Sequence, residues 1–149
     1  AYHFLNQYLA DGYVRLFEGS GGYGAGEQLR DFVYVDDVVN INLFFLDHPA
    51  ASGIFNAGTG RAQTFNEVAV ATVNAARRAR GSAELTLDEL RAREEIQYVS
   101  FPQGLKEKYQ SYTQANLSRL KQAGYGADMK DVNQGVSRYV SWMLGKEQR

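Results

Sequence analysis

Two stretches of this sequence carry residue types and spacings that could do chemistry. The first is Gly19-x-Gly21-x-x-Gly24, the spacing with which a strand turns into a helix whose N-terminal amides hold a dinucleotide pyrophosphate. That chemistry needs a helix directly after the glycines. Instead "QLRDFVYV", from Gln28, is rich in aromatic and β-branched residues and predicts a strand, so the glycines read as a hairpin loop. The second stretch is Asp36-Asp37, a pair suited to acid–base work or to a divalent cation. Adjacent acids ahead of an apolar helical run are far more often its N-cap, and that reading is adopted.

The elements that must position any site follow from periodicity. "AYHFLNQYLA" puts Phe4, Leu5, Tyr8 and Leu9 on one helical face, with no capping residue before it and no initiator Met. It reads as a helix entered partway, as in a piece of a longer chain. Asp11-Gly12 stops it, and "YVRLFE" predicts a strand. "DDVVNINLFFLDH" predicts a helix capped by Asp36 or Asp37, burying Val38, Val39, Phe45 and Leu46. "GIFNAGTG" predicts a short buried strand, with Asn56, Gly58 and Gly60 serving its closing turn.

Thr64-x-x-Glu67 is a capping box, followed at helical spacing by Phe65, Val68, Ala69, Thr72, Val73 and Ala76. Residues 77–95 read as an exposed, charged insertion with a second box at Thr86-x-x-Glu89. "IQYVSFP" predicts a strand. Two helices close the chain, "TQANLSRLKQAG" and "DVNQGVSRYVSWML", the latter with a stripe of Val132, Val136, Tyr139, Val140 and Met143. The fold class expected is α/β, one small lobe with few short strands and about five helices, short of a complete doubly wound sheet.

Composition narrows the function. With 149 residues, 44% hydrophobic, the chain is long enough for one domain with a core. Sixteen basic against 17 acidic residues leave a formal charge of −1, which gives no field to gather a nucleic acid. Cysteine is absent and only His3 and His48 are present, excluding disulfides and zinc sites of ordinary spacing. No apolar run approaches the ~20 residues of a membrane span.

"RDFVYVDDV" from Arg30 and "FNAGTG" from Phe55 resemble the second half of the extended short-chain dehydrogenase/reductases, the group of nucleotide-sugar epimerases and dehydratases. "LFEGS" (Leu16–Ser20) with "FPQGLKEKYQSYTQANLSRLKQAGY" (Phe101–Tyr125) resembles, within that group, the ADP-glycero-manno-heptose 6-epimerases. The resemblance covers essentially the whole chain but only the carboxyl-terminal part of the family pattern. The family's NADP fingerprint and its catalytic Tyr-x-x-x-Lys are not in this sequence, since none of the ten tyrosines has a lysine four residues on.

What the resemblance implies is substrate capture. Arg30 matches a substrate-contacting arginine, although taken alone an ordinary ion pair explains it equally well. Phe17, Glu18, Gly19 and Ser20 match the nucleotide-side segment, and Tyr109 and His3 match further substrate contacts. Lys106 and Arg119 are left as solvated charges. The implied whole protein is a cytoplasmic isomerase of lipopolysaccharide core synthesis. It would act on ADP-glycero-manno-heptose with NADP, as a homo-oligomer, without nucleic acid or membrane partners. This chain would need the Rossmann half for catalysis and on its own would be inactive, with no cofactor. The family's aspartate in "TQADL" is Asn116 here.

Overall fold

The structure is a computed structural model that describes residues 1–146. Its elements run α1 (Tyr2–Asp11), β1 (Val14–Phe17), β2 (Leu29–Arg30), α2 (Val35–Asp47), β3 (Gln63–Thr64), α3 (Phe65–Ala79), α4 (Leu87–Ala92), β4 (Ile96–Val99), a 3-10 turn (Lys106–Lys108), α5 (Ser118–Gln122) and α6 (Val132–Lys146). This is the small α/β lobe expected, with six α-helices among the described residues where about five are predicted.

The lobe is organised around α3. Thr64 accepts from the Glu67 amide while the Glu67 carboxylate accepts from the Thr64 amide, so both predicted capping boxes form, the second at Thr86 and Glu89. Val68, Ala69, Thr72, Val73 and Ala76 are all buried on α3. Against it pack Leu5 and Tyr8 of α1, Leu90 of α4, and Val132, Val136 and Val140 of α6, in one core with Val14, Leu16 and Ile96. Residues 77–95 thus deliver Leu90 into the core, and Arg77 pairs with Glu95 at 2.9 Å where both are mostly buried.

β1 pairs in parallel with β4, in register from Val14 with Ile96 to Phe17 with Val99. β2 pairs antiparallel with β3, Leu29 opposite Thr64. The glycine turn therefore does not close a hairpin, because the strands on either side of it belong to different sheets. Gly12 caps α1 in the left-handed conformation, φ 81°.

Five further expectations are corrected. The strand predicted over "QLRDFVYV" is two residues long, because only Leu29 and Arg30 find a partner. The α2 N-cap is Tyr34, with no side-chain cap bond. Asp37 lies in its first turn, buried, and holds the Lys130 amide (2.8 Å) and ammonium (2.6 Å). Of the α2 residues expected inside, Val39 and Leu46 are exposed, while Ile41 is buried against Leu120 and Tyr125. "GIFNAGTG" forms no strand and Ile54 is 84% exposed, since no strand lies alongside to supply ladder hydrogen bonds. α5 is shorter than predicted, and Asn116 caps it from one residue further out, accepting from the Ser118 amide at 2.9 Å.

Candidate functional site

β1 ends at Phe17, and the chain turns through Glu18, Gly19 and Ser20 before returning as β2. The turn is tight because Gly19 has no side chain: a Cβ there would sit 2.5 Å from the Tyr23 carbonyl oxygen. Gln28, almost wholly buried, donates its amide to the Glu18 carbonyl (2.8 Å), fastening the start of β2 to the end of β1.

A long segment, residues 100–117, then lies along β2. The Leu29 amide donates to the Ser111 carbonyl (2.9 Å) and the Thr113 amide to the Leu29 carbonyl (3.1 Å). Asp31 accepts from the amides of Thr59 (2.7 Å), Gly60 (2.9 Å) and Ala115 (3.0 Å), tying two loops to β2. These bonds bring Tyr109 to Arg30.

The result is a cluster of rings with a cation on it. Phe17 stacks on Phe101 (centroids 4.5 Å) and meets Tyr109 edge-on (5.8 Å). Tyr109 also contacts Phe101 at 5.0 Å. The Arg30 guanidinium carbon lies 5.2 Å from the Tyr109 ring centroid and 5.8 Å from that of Phe65. One arm of its fork donates to the Leu29 carbonyl (2.8 Å) and the other to the Gln110 carbonyl, so the fork is held by backbone and ring faces rather than by an acid. The ordinary ion pair weighed from sequence is not made among the described residues. Burial pushes the Tyr109 phenol pKa up, with Arg30 acting in the opposite direction.

Beneath the rings a cavity of about 270 Å³ is lined by His3, Phe17, Gln28, Phe65 and Tyr109 among others. His3 reaches it from the exposed side of α1. Ser20 is buried, and its Oγ is the single buried side-chain polar atom without a hydrogen-bond partner among the described residues. A buried hydroxyl with no partner is uncommon. The Glu18 carboxylate turns to Lys106 (3.0 Å) and Ser100 (3.2 Å), and the Lys106 bond holds its pKa below the usual range.

Of the residues singled out from sequence, His3, Phe17 and Tyr109 line the cavity, Arg30 sits on the Tyr109 ring, and Glu18, Gly19 and Ser20 form the turn that follows Phe17. Phe101, Phe65 and Gln28 were missed. Phe101 follows β4, and only the β1–β4 pairing puts it on Phe17; no local signal carries that pairing. Tyr112, three residues after Tyr109, is half exposed. Asp36 and Asp37 do not act as a carboxylate pair, because Asp37 is consumed by Lys130. No group of acids and histidines among the described residues could hold a metal, and no described helix is long and apolar enough to cross a membrane. The glycine stretch leads into β2, so it does not fit a nicotinamide dinucleotide, which needs a helix N-terminus there.

Known proteins extend this picture. Residues 4–58, which carry α1 through the Phe55 loop, match the NAD dependent epimerase/dehydratase family. An ADP-L-glycero-D-manno-heptose-6-epimerase of Thiobacillus denitrificans is 58% identical over 144 residues, 97% of this chain and 43% of its own length. The chain thus spans less than half of that relative. Two solved structures share the fold at 18% identity. One is a UDP-N-acetylglucosamine 4-epimerase from Methanobrevibacter ruminantium in complex with UDP-N-acetylmuramic acid (TM-score 0.62; 97% of this chain, 38% of that one). The other is a dTDP-glucose 4,6-dehydratase from Bacillus anthracis in complex with NAD (TM-score 0.64; 97% and 38%). Nearly the whole chain is thus similar to part of an ADP-heptose epimerase, and the turn that follows Phe17 and Arg30 lie inside the segment that matches the NAD dependent epimerase/dehydratase family.

Proposed function

We propose that this chain is the substrate-holding, carboxyl-terminal part of an ADP-glycero-manno-heptose 6-epimerase, a single domain over residues 1–149. The observation that carries the reading is the cluster formed by Arg30, Tyr109 and Phe17 from three separated segments, with Arg30 on the Tyr109 ring and Phe17 and Tyr109 lining one cavity. An ADP-sugar offers an aromatic base, ribose hydroxyls and a diphosphate, which call for ring surface, hydroxyl partners and a fixed fork of donors. Phe17 and Tyr109 supply the first, Ser20 with its unpartnered Oγ the second, and Arg30 the third. The neighbouring backbone of Glu18 and Gly19 and the His3 ring complete the rim.

In the whole protein the reaction would oxidise and reduce carbon 6 of the heptose, inverting it. NADP would supply the hydride chemistry, bound by a Rossmann half that these residues do not build. This chain's task is orientation. Arg30 anchors the diphosphate so firmly that the sugar end can turn and present either face without the nucleotide leaving. By itself the chain would neither hold NADP nor turn over. On this reading the complete enzyme would work in the cytoplasm, as a homo-oligomer serving lipopolysaccharide core synthesis.

Replacing Arg30 with alanine tests the reading. In the complete enzyme Arg30→Ala should raise KM for the ADP-sugar and lower kcat/KM by ~10- to ~100-fold, the range for a lost charged hydrogen bond. Unchanged kinetics would remove Arg30 from the site. A competition series of ADP-, UDP- and GDP-sugars tests the nucleotide in the same assay, with ADP expected to compete best.

A further inference from the structure

We infer that Lys106 is a second cation for the diphosphate, held beside the site by Glu18 and transferred to phosphate oxygen when the nucleotide enters. The inference rests on the substrate reading above. It starts from a position: the 3-10 turn that carries Lys106 leads straight into Tyr109, whose amide donates to the Lys106 carbonyl (3.4 Å). The turn fixes the ammonium on the Phe17 side of the ring cluster, where its Nζ lies 3.0 Å from Glu18 Oε1. Glu18 directly follows Phe17, whose ring packs on Tyr109. Arg30 approaches the same tyrosine from β2.

Charge and exposure give the reason for exchange. A nucleoside diphosphate linked to a sugar carries two negative charges, and Arg30 alone offers one positive charge with both arms of its fork already donating to carbonyls. Arg15, which borders the cavity, is engaged by Asp11 and Tyr13. Lys106 and Glu18 are 54% and 40% exposed, a pair that solvent screens and that contributes little to folding. A dianion beside it offers Lys106 more charge than one carboxylate, and Ser100 still holds Glu18 after the exchange.

The experiment is titration of this chain with ADP and with adenosine, followed by calorimetry or amide chemical shifts. Lys106→Met should weaken ADP binding by ~10-fold, leave adenosine binding unchanged, reduce the salt dependence of ADP binding and keep the wild-type melting temperature. Lys108→Met removes the same charge from the same turn and should alter ADP binding much less. Glu18→Gln frees Lys106 and should tighten ADP binding by a few-fold, about the strength of an exposed ion pair. If Arg30→Ala weakens ADP binding while Lys106→Met does not, the second cation is refuted and the substrate reading survives. Equal losses in Lys106→Met and Lys108→Met, or weaker binding by Glu18→Gln, also refute it. Failure of the unaltered chain to bind ADP refutes both.

Discussion

α3 and α2 are helices of similar length, and they are built on opposite terms. α3 opens on a complete capping box and buries nine of its residues on neighbours from both ends of the chain. α2 has no side-chain cap, buries only Asp37 and Ile41, and leaves Val35, Val39, Leu43 and Leu46 largely exposed. A helix with partners on several sides is held by packing. One that meets partners along a single edge is held by whatever pins that edge, here the Asp37–Lys130 pair and the small cluster of Ile41, Leu120 and Tyr125. The candidate site lies at the end of the well-packed block, with Phe65, the first residue of α3, under Arg30.

The contrast can be broken by mutation. The largest effect is expected in the α3 block: Leu90→Ala, at a fully buried site, should cost about 2–5 kcal/mol and lower the melting temperature cooperatively. A loss below about 1 kcal/mol would show that α3 is not the centre of stability. Lys130→Met should cost about 1–3 kcal/mol by leaving the buried Asp37 carboxylate without its cation. Hydrogen exchange should then rise along α2 before it rises along α3.

Glu89 gives a smaller and pH-dependent difference. The Thr86 backbone amide, then its hydroxyl, hold the Glu89 pKa below its ordinary value. Its contribution is therefore fully present above the unfolded carboxylate pKa and is lost as pH falls through the lower, folded value. Glu89→Gln should be less stable than wild type near neutral pH, and the two denaturation curves should converge as pH drops through that window. The least effect is expected on the bare face of α2, where Val39→Ser and Leu43→Ser should each stay within about 0.5 kcal/mol. A large loss at either would mean that the face is covered in solution.

These two helices also show what the sequence could tell. Capping boxes are local, so Thr64 with Glu67 and Thr86 with Glu89 were legible, and so was the α6 stripe. Which side of α2 faces inward depends on elements far along the chain, and reading it from hydrophobicity put Val39 and Leu46 on the wrong side. "GIFNAGTG" has a strand's composition but nothing to pair with, and pairing is not a local property. The site shows the same division. Arg30, Tyr109 and Phe17 were named through resemblance to a family, whereas Phe101 and Phe65 join them through the β1–β4 and β2–β3 pairings, which no single stretch encodes.

The account stands on Arg30 as the anchor of a nucleotide diphosphate, and a crystal structure of this chain with ADP tests it most directly. The diphosphate is expected on the free edge of the Arg30 guanidinium, with Phe17 and Tyr109 against the nucleotide and Ser20 Oγ bonded to it. ADP bound in another cleft, with Arg30 still closed on the Leu29 and Gln110 carbonyls, would contradict it.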